Sequence, residues 1–340
     1  MDTALRYDVV TSLAAVSDLA AEWNCLLERS GCDRAFGSVE WYLASCRADA
    51  GLAPWVVVAR RGAELAGVLA LALPAGGAEA EFPSRLGDYN DLVALPEDAA
   101  TAAGLIDHAR RGPRPFARLA LRLLRPDAAC LRGADLLDRG HGEGRGSGGG
   151  ERLPSRWRCQ FVDLPASFGD YLAGRSAKFR KMLRQAEARA AAAGLVVRRL
   201  APPELPGPRL AELFLDLHRG RFGSRGLFAA PAHARFARQV LPPLFERGSL
   251  LALALLEPGG KPLAVDLCVA GGRALGVWNG GFLPEAAAWS PGRLLAAAGI
   301  RTAMELGCEE YDFLRGVESY KAHWATGSRQ LVDLVVPVDE

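Results

Sequence analysis

Residues 249–282 constrain the fold more than any other part of the chain. They read as three apolar strands in direct succession, "SLLALALLE", "KPLAVDLCVAGG" and "RALGVWNGGF", separated only by turns at Pro258-Gly259-Gly260 and Gly271-Gly272. Turns this short leave room for nothing but consecutive antiparallel hairpins. Two details interrupt the apolar pattern. Asp266 is an isolated carboxylate inside "LAVDLCV", and Gly280-Gly281 stands near the end of the third strand, where a glycine pair fits a bulge.

The flanks of this meander read as helices. "LAELFLDLHRGRFG" and "HARFARQVLPPLFERG" precede it; "SPGRLLAAAGIRTAMELG" follows, with Ser290 at the N-cap position, Pro291 first in the helix and Gly307 just past its end. Next, "EYDFLRGVESYKAHWATG" (310–327) has the buried look of a strand at Tyr311, Phe313 and Leu314, followed by a short helix. The same dozen positions hold Asp312, Arg315, Glu318, Tyr320 and Lys321. "RQLVDLVVPV" closes the chain as a strand.

The first half has the same order of elements. "RYDVVTS" reads as a strand, "VSDLAAEWNCLLERSG" as one helix stopped at Gly31, and "SVEWYLASCRAD" as a second helix. "WVVVARRGAELAGVLALALP" gives two strands joined at Arg61-Gly62, "DYNDLVALP" a further strand, "AATAAGLIDHARRG" a helix and "FARLALRLL" another strand. This is a mixed α/β architecture in two parts. The Gly-rich stretch "HGEGRGSGGGE" (141–151) is expected to be a mobile loop, since it has nothing to bury. It lacks the strand and the G-K-[ST] that a phosphate-binding loop requires. The expected division is 1–160 and 161–340.

Between the halves, "RSAKFRKMLRQAEARAAAAG" (175–194) reads as a helix with a stripe of Phe179, Met182, Leu183 and Ala186 and a stop at Gly194. Its other face carries Arg175, Lys178, Arg180, Lys181, Arg184 and Arg189. That face is either simply solvated or a contact for an anion or RNA.

Several function classes are set aside by composition. Over 340 residues the formal net charge is +2, so no global field recruits DNA or an anionic membrane. No apolar run approaches the ~20 residues of a membrane helix, and "MDTALRYDVVTSLAAVSDLA" does not read as a signal peptide. A soluble, cytoplasmic protein is expected. Seven cysteines without a C-x-x-C pair, and five histidines without ligand spacing, point to neither disulfides nor a metal site.

The second half resembles the GNAT superfamily of acyltransferases. In more detail, "WSPGRLL" ahead of "YDFLRGVESYKAHW", with "GDYNDL" at 87–92, looks like the CelD-type acetyltransferases, associated with exopolysaccharide production and related to the tandem Fem peptidoglycan aminoacyltransferases. The resemblance implies two GNAT-like mixed sheets with flanking helices in tandem. It also implies acetyl-CoA or another acyl-CoA as co-substrate, and an amine or hydroxyl acceptor on a small molecule, sugar or envelope precursor.

Under that resemblance, residues 273–282 form a splayed strand whose backbone at Trp278, Asn279 and Gly280 receives pantetheine as an added strand would and stabilises an oxyanion. Ser290, Pro291, Gly292, Arg293 and Leu294 form the turn for the coenzyme A pyrophosphate, although this turn lacks the superfamily's usual pair of small residues. Tyr320 takes the position of the acid that protonates the departing thiolate. Asp266, Asp312 and Glu318 are the candidate bases, burial of Asp266 being the means of raising its pKa. Asp312 is equally suited to fixing Arg315 or Lys321 in a salt bridge. His218, Arg221, Arg315 and Lys321 are candidate acceptor contacts. Two alternatives stay open: a catalytically silent GNAT-like binding module, and a Fem-like transferase using charged tRNA docked on the basic helix.

Overall fold

The computed structural model describes residues 4–83, 86–111, 114–140, 148–316 and 318–339. It divides into two units, Met1–Arg158 with Arg329–Glu340, and Cys159–Ser328.

The first unit runs β1 (Leu5–Val10), α1 (Leu13–Asp18), α2 (Ala20–Arg29), α3 (Val39–Ala48), β2 (Leu52–Arg61), β3 (Glu64–Pro74), β4 (Glu79–Glu81), β5 (Val93–Ala94), α4 (Ala99–Arg110), β6 (Arg118–Leu124) and α5 (Ala129–Gly140). β1, β2 and β3 pair as antiparallel neighbours, and β4 runs parallel to β6. One face of this sheet packs under α1–α3 around Trp23, Leu26, Tyr42 and Val58, the other under α4 and α5 around Leu69, Leu105, Ile106 and Cys130. The C-terminal strand Gly327–Pro337 pairs with β6 from Val332↔Leu124 to Pro337↔Arg118, which puts the chain end in this unit.

The expected single helix over 16–31 is two helices, broken at Leu19, and Gly31 stops the second with φ +71°. The expected strand "DYNDLVALP" shrinks to Val93–Ala94. Asp91 is the reason: its carboxylate accepts the N–H groups of Leu92, Ala129 and Cys130 at 2.7–2.9 Å, capping α5 instead of letting the chain extend. Residues 141–147 of the Gly-rich stretch lie outside the described residues, and Glu151 already belongs to a strand.

That strand, β7 (Glu151–Asp163), leads into the second unit: α6 (Phe168–Ala173), α7 (Ala177–Ala192), β8 (Val196–Leu200), α8 (Gly207–Phe222), α9 (Pro231–Glu246), β9 (Leu250–Leu256), β10 (Pro262–Gly271), β11 (Ala274–Phe282), α10 (Pro291–Glu305), β12 (Glu310–Arg315), α11 (Ser319–Trp324) and then β13 (Gly327–Pro337). The three strands read from the sequence form the expected meander, β9–β10 and β10–β11 both antiparallel. β12 lies parallel to β11 and antiparallel to the end of β7. Helices α7 and α10 cover one face around Leu183, Leu295, Ile300 and Tyr311, and α8 and α9 pack on the other. In each unit, therefore, a helix connects two strands that run parallel, α4 between β4 and β6 and α10 between β11 and β12.

On α7 the buried stripe is Leu183, Ala186 and Ala190 with Phe179 at its edge; Met182 is exposed, one position off the packed face. Arg175 lies over the Tyr171 ring and donates to the carbonyls of Trp324 and Ala325, and Arg180 donates to the Arg175 carbonyl. Those two charges fasten the helix. Lys178, Lys181, Arg184 and Arg189 remain exposed.

Candidate active site

The site lies within the second unit, where two strands part. β11 and β12 pair in parallel over only three positions, Ala274↔Glu310, Leu275↔Tyr311 and Gly276↔Asp312; β11 then continues to Phe282 with no further β12 partner. Two local irregularities cause the divergence. On β11 the register with β10 steps from Leu267↔Asn279 to Cys268↔Val277, so the bulged residue is Trp278, not the glycine pair. On β12 the register with β7 slips between Asp312 and Arg315, where Leu314 has φ +54° and its N–H bonds Asp312 Oδ1 at 2.7 Å. Asp312, 1% exposed, thus holds the bend of its own strand.

Gly280 and Gly281 are explained by close approach. A Cβ on Gly281 would lie 2.3 Å from the backbone N of His218, so this glycine lets α8 rest on the strand. A Cβ on Gly280 would lie 2.1 Å from Asp266 Oδ1, so this one makes space for a carboxylate. Trp278 is itself core, its ring packed among Phe214, Phe228 and Phe236.

Asp266 shares one face of β10 with Ala264 and Cys268, both buried in the core under α10. Burial pushes its carboxyl up to about 7, against the opposing pull of the Arg221 guanidinium. Tyr320 is close enough to feel the charges of Asp266, Glu318 and Arg221, and burial raises its phenol well above the ordinary value. It is nevertheless half exposed, its ring edge-on to Phe313 at 6.3 Å. Asp266, Tyr320 and Arg221 therefore share one electrostatic neighbourhood. Sequence reasoning did not single out Tyr311 as part of it. This fully buried phenol points its unpaired hydroxyl at Gly299, and its pKa is raised by burial first and by Cys268, Asp266 and Tyr320 after that.

The edge of β11 supplies backbone donors. Leu283 N–H bonds the Leu263 carbonyl at 2.9 Å, and antiparallel ladders alternate, so the 280/266 and 282/264 pairs are the non-bonded ones. The N–H groups of Gly280 and Phe282 consequently face away from β10, toward the side where β12 is missing. Asn279 Oδ1 accepts the Gly280 N–H at 3.1 Å.

The turn into α10 is less generous than the sequence suggested. Ser290 adopts a left-handed conformation, φ 55° and ψ 55°, and its side chain makes no cap bond. Its N–H donates to Ala287, Pro291 has none to give, and the Arg293 N–H turns back to the Ser290 carbonyl at 2.9 Å. Leu294 is buried and its N–H also bonds that carbonyl. Gly292 alone keeps an N–H without a partner among the described residues, in open space where a Cβ would meet nothing within 4 Å. With Arg293 beside it, this leaves one free backbone donor and one fixed charge at the turn.

The remaining candidates fall outside this cluster or serve structure. His218, buried, sits among Phe214, Phe222 and Phe228, and burial lowers its pKa to about 4. Lys321 is 4% exposed; its Nζ donates to the Arg315 carbonyl at 2.7 Å and pairs with Glu318 at 3.0 Å. Glu318, not Asp312, is thus its partner. Among the described residues no group of three or more His, Cys, Asp or Glu is arranged to hold a metal.

Residues 177–322 match the family model of the acetyltransferase (GNAT) domain. Solved structures similar to the chain include FemX, at TM-score 0.64 and 13% identity over 92% of this chain and 95% of that one. Others are the C-terminal domain of a putative lysylphosphatidylglycerol synthetase from Agrobacterium fabrum (0.57, 13%, 97% and 93%) and L-PGS from Bacillus licheniformis (0.55, 11%, 94% and 92%). The fold is the GNAT fold. No curated protein matches the sequence. No helix among the described residues is long and apolar enough to cross a membrane.

Proposed function

We propose that the protein is an acyl-CoA-dependent acyltransferase, acting on an amine or hydroxyl of a small molecule, sugar or envelope precursor. The observation that carries this reading is the placement of Asp266 opposite Gly280 where β11 leaves β12, with Tyr320 within the electrostatic influence of the same carboxylate. A carboxyl near pH 7 is poised to take a proton from an amine. The acceptor nitrogen bonds to the acyl carbon as its proton passes to Asp266; the carbon–sulfur bond breaks and the thiolate takes the Tyr320 proton. Transfer of the proton from Asp266 to Tyr320 resets the site. The outward N–H of Phe282, and that of Gly280 once Asn279 Oδ1 gives it up, are suited to the acyl oxygen and to pantetheine, and Gly292 with Arg293 to the pyrophosphate. Release of free thiol from acetyl-CoA or a longer acyl-CoA, in the presence of an amine panel and lost in Asp266→Asn, is the test. The CelD-type motifs support the narrower placement within the superfamily.

One cofactor site per chain is proposed. The helix in the first unit that corresponds to α10 is α4, and its N-terminus is closed by Asp98, whose carboxylate accepts the Thr101 N–H at 3.0 Å and pairs with Arg61. A carboxylate there repels a phosphate.

A different donor, charged tRNA, is favoured by the exposed Lys178, Lys181, Arg184 and Arg189 of α7. Salt-sensitive tRNA binding, weakened when these are neutralised, distinguishes it. The scarcity of free N–H groups at Ser290–Leu294 is what favours a silent binding module, which neither binds acyl-CoA nor releases thiol.

A further inference from the structure

Arg221 lies exposed in the last turn of α8, and its guanidinium is held between two aromatic rings, 4.6 Å from the centroid of Phe222 and 4.9 Å from that of Phe282. Stacking of this kind fixes the plane of the fork while leaving its N–H groups free to the sides. Five other arginines of the unit are spent on carboxylates, Arg219 on Asp216, Arg238 on Glu212, Arg198 on Glu204, Arg301 on Glu187 and Arg273 on Glu309, while Arg184, Arg189 and Arg293 stand apart from the Asp266 neighbourhood. Arg221 has no ion-pair partner among the described residues. Asp266 is near enough to feel the Arg221 charge but is not in ion-pair contact with it. Phe282, which carries the stack, is two residues beyond Gly280 on the same face of β11, so the arginine stands beside the carboxylate along one strand.

A fixed cation and a carboxylate that influence each other without pairing are complementary to a molecule that is itself a cation and an anion. We infer that the acceptor is an amine bearing its own carboxylate or phosphate, the anionic group held by Arg221 and the amino group presented to Asp266. This rests on the acyl-transfer reading for the role of the amine, but recognition of the anion does not require a donor. A bidentate guanidinium contact adds both strength and orientation, so the anion fixes which way the amine points.

The test is binding measured by ligand-observed NMR on the full chain, without any donor, using two matched pairs: glycine against glycinamide, and phosphoethanolamine against ethanolamine. At least one anionic member is expected to bind about tenfold or more tightly than its neutral counterpart, the favoured pair telling carboxylate from phosphate. Arg221→Gln, folded by circular dichroism, is expected to erase the difference, and Arg221→Lys to restore only part of it. Equal binding within both pairs, or a preference that survives in Arg221→Gln, overturns the inference. Thiol release measured alongside keeps the two readings apart: an anion preference lost with Arg221 but no acyl transfer to any amine refutes the transferase reading alone.

Discussion

Asp266 and Gly280 face each other across the β10–β11 ladder so closely that a single added carbon on the glycine would lie 2.1 Å from the carboxylate oxygen. That carbon would also come within 2.8 Å of the Val265 carbonyl, whereas one on the neighbouring Gly281 would meet the α8 backbone, 2.3 Å from the N of His218. Adjacent glycines thus have different tasks. Gly280→Ala is expected to displace the carboxylate and lower kcat about 100-fold, the usual effect of a misplaced catalytic group, along with a loss of stability from the contact with the Val265 carbonyl. Gly281→Ala is expected to lose ~1–3 kcal/mol of stability, because α8 must lift off the strand. Kinetics together with urea unfolding separate the two; a Gly280→Ala variant of wild-type kcat would remove the special role of Gly280.

The Asp266 carboxyl, raised from 3.8 to about 7, gives a pH dependence with a defined sign. Activity that needs the ionised base is expected to fall as pH drops through about 7. Stability runs the other way. Below about pH 4 the carboxyl is protonated whether folded or unfolded and carries no penalty; between about 4 and 7 only the unfolded chain ionises, and the folded state loses up to ~4 kcal/mol. Asp266→Asn should therefore be inactive yet gain stability over the wild type as pH rises from 4 to 8. Parallel denaturation curves at the two pH values would contradict this.

Tyr320→Phe is expected to lower kcat about 100-fold or more while leaving KM for the acyl donor nearly unchanged, since proton delivery to the departing sulfur belongs to the transition state. Half of this ring is exposed, so the variant should fold normally. A fully active variant assigns the proton to water.

The meander, the helix after it and the parallel strand were legible in the sequence because each announces itself locally: apolar runs with Gly turns, Pro291 and Gly307 at the helix ends. Asp266 stood out because a carboxylate in an apolar run is costly. The bulge at Trp278 was not legible, since register is a property of two strands and the glycine pair next to it drew the assignment. Likewise Asp312 and Glu318 both lay within helical or turn reach of Lys321, and only the bend at Leu314 decides between them. The bond from Asp91 to α5 spans 38 and 39 residues and turned an expected strand into a cap.

Lys321 gives a check on that division between architecture and chemistry. With its ammonium buried on the Arg315 carbonyl and Glu318, Lys321→Ala is expected to cost ~1–3 kcal/mol of stability. Thermal unfolding beside donor and acceptor KM values tests it; a variant of wild-type stability with a raised KM would make Lys321 a substrate contact.

Calorimetric titration of the intact chain with acetyl-CoA and a longer acyl-CoA, wild type against Gly292→Asp, tests the central claim most directly. Gly292 has open space for a side chain, so the variant should fold, while its carboxylate opposes both phosphate and helix dipole. One acyl-CoA per wild-type chain, with binding lost in Gly292→Asp, is the predicted result. Absence of binding to the wild type, or two equivalent sites, or unchanged affinity in the folded variant, would contradict it.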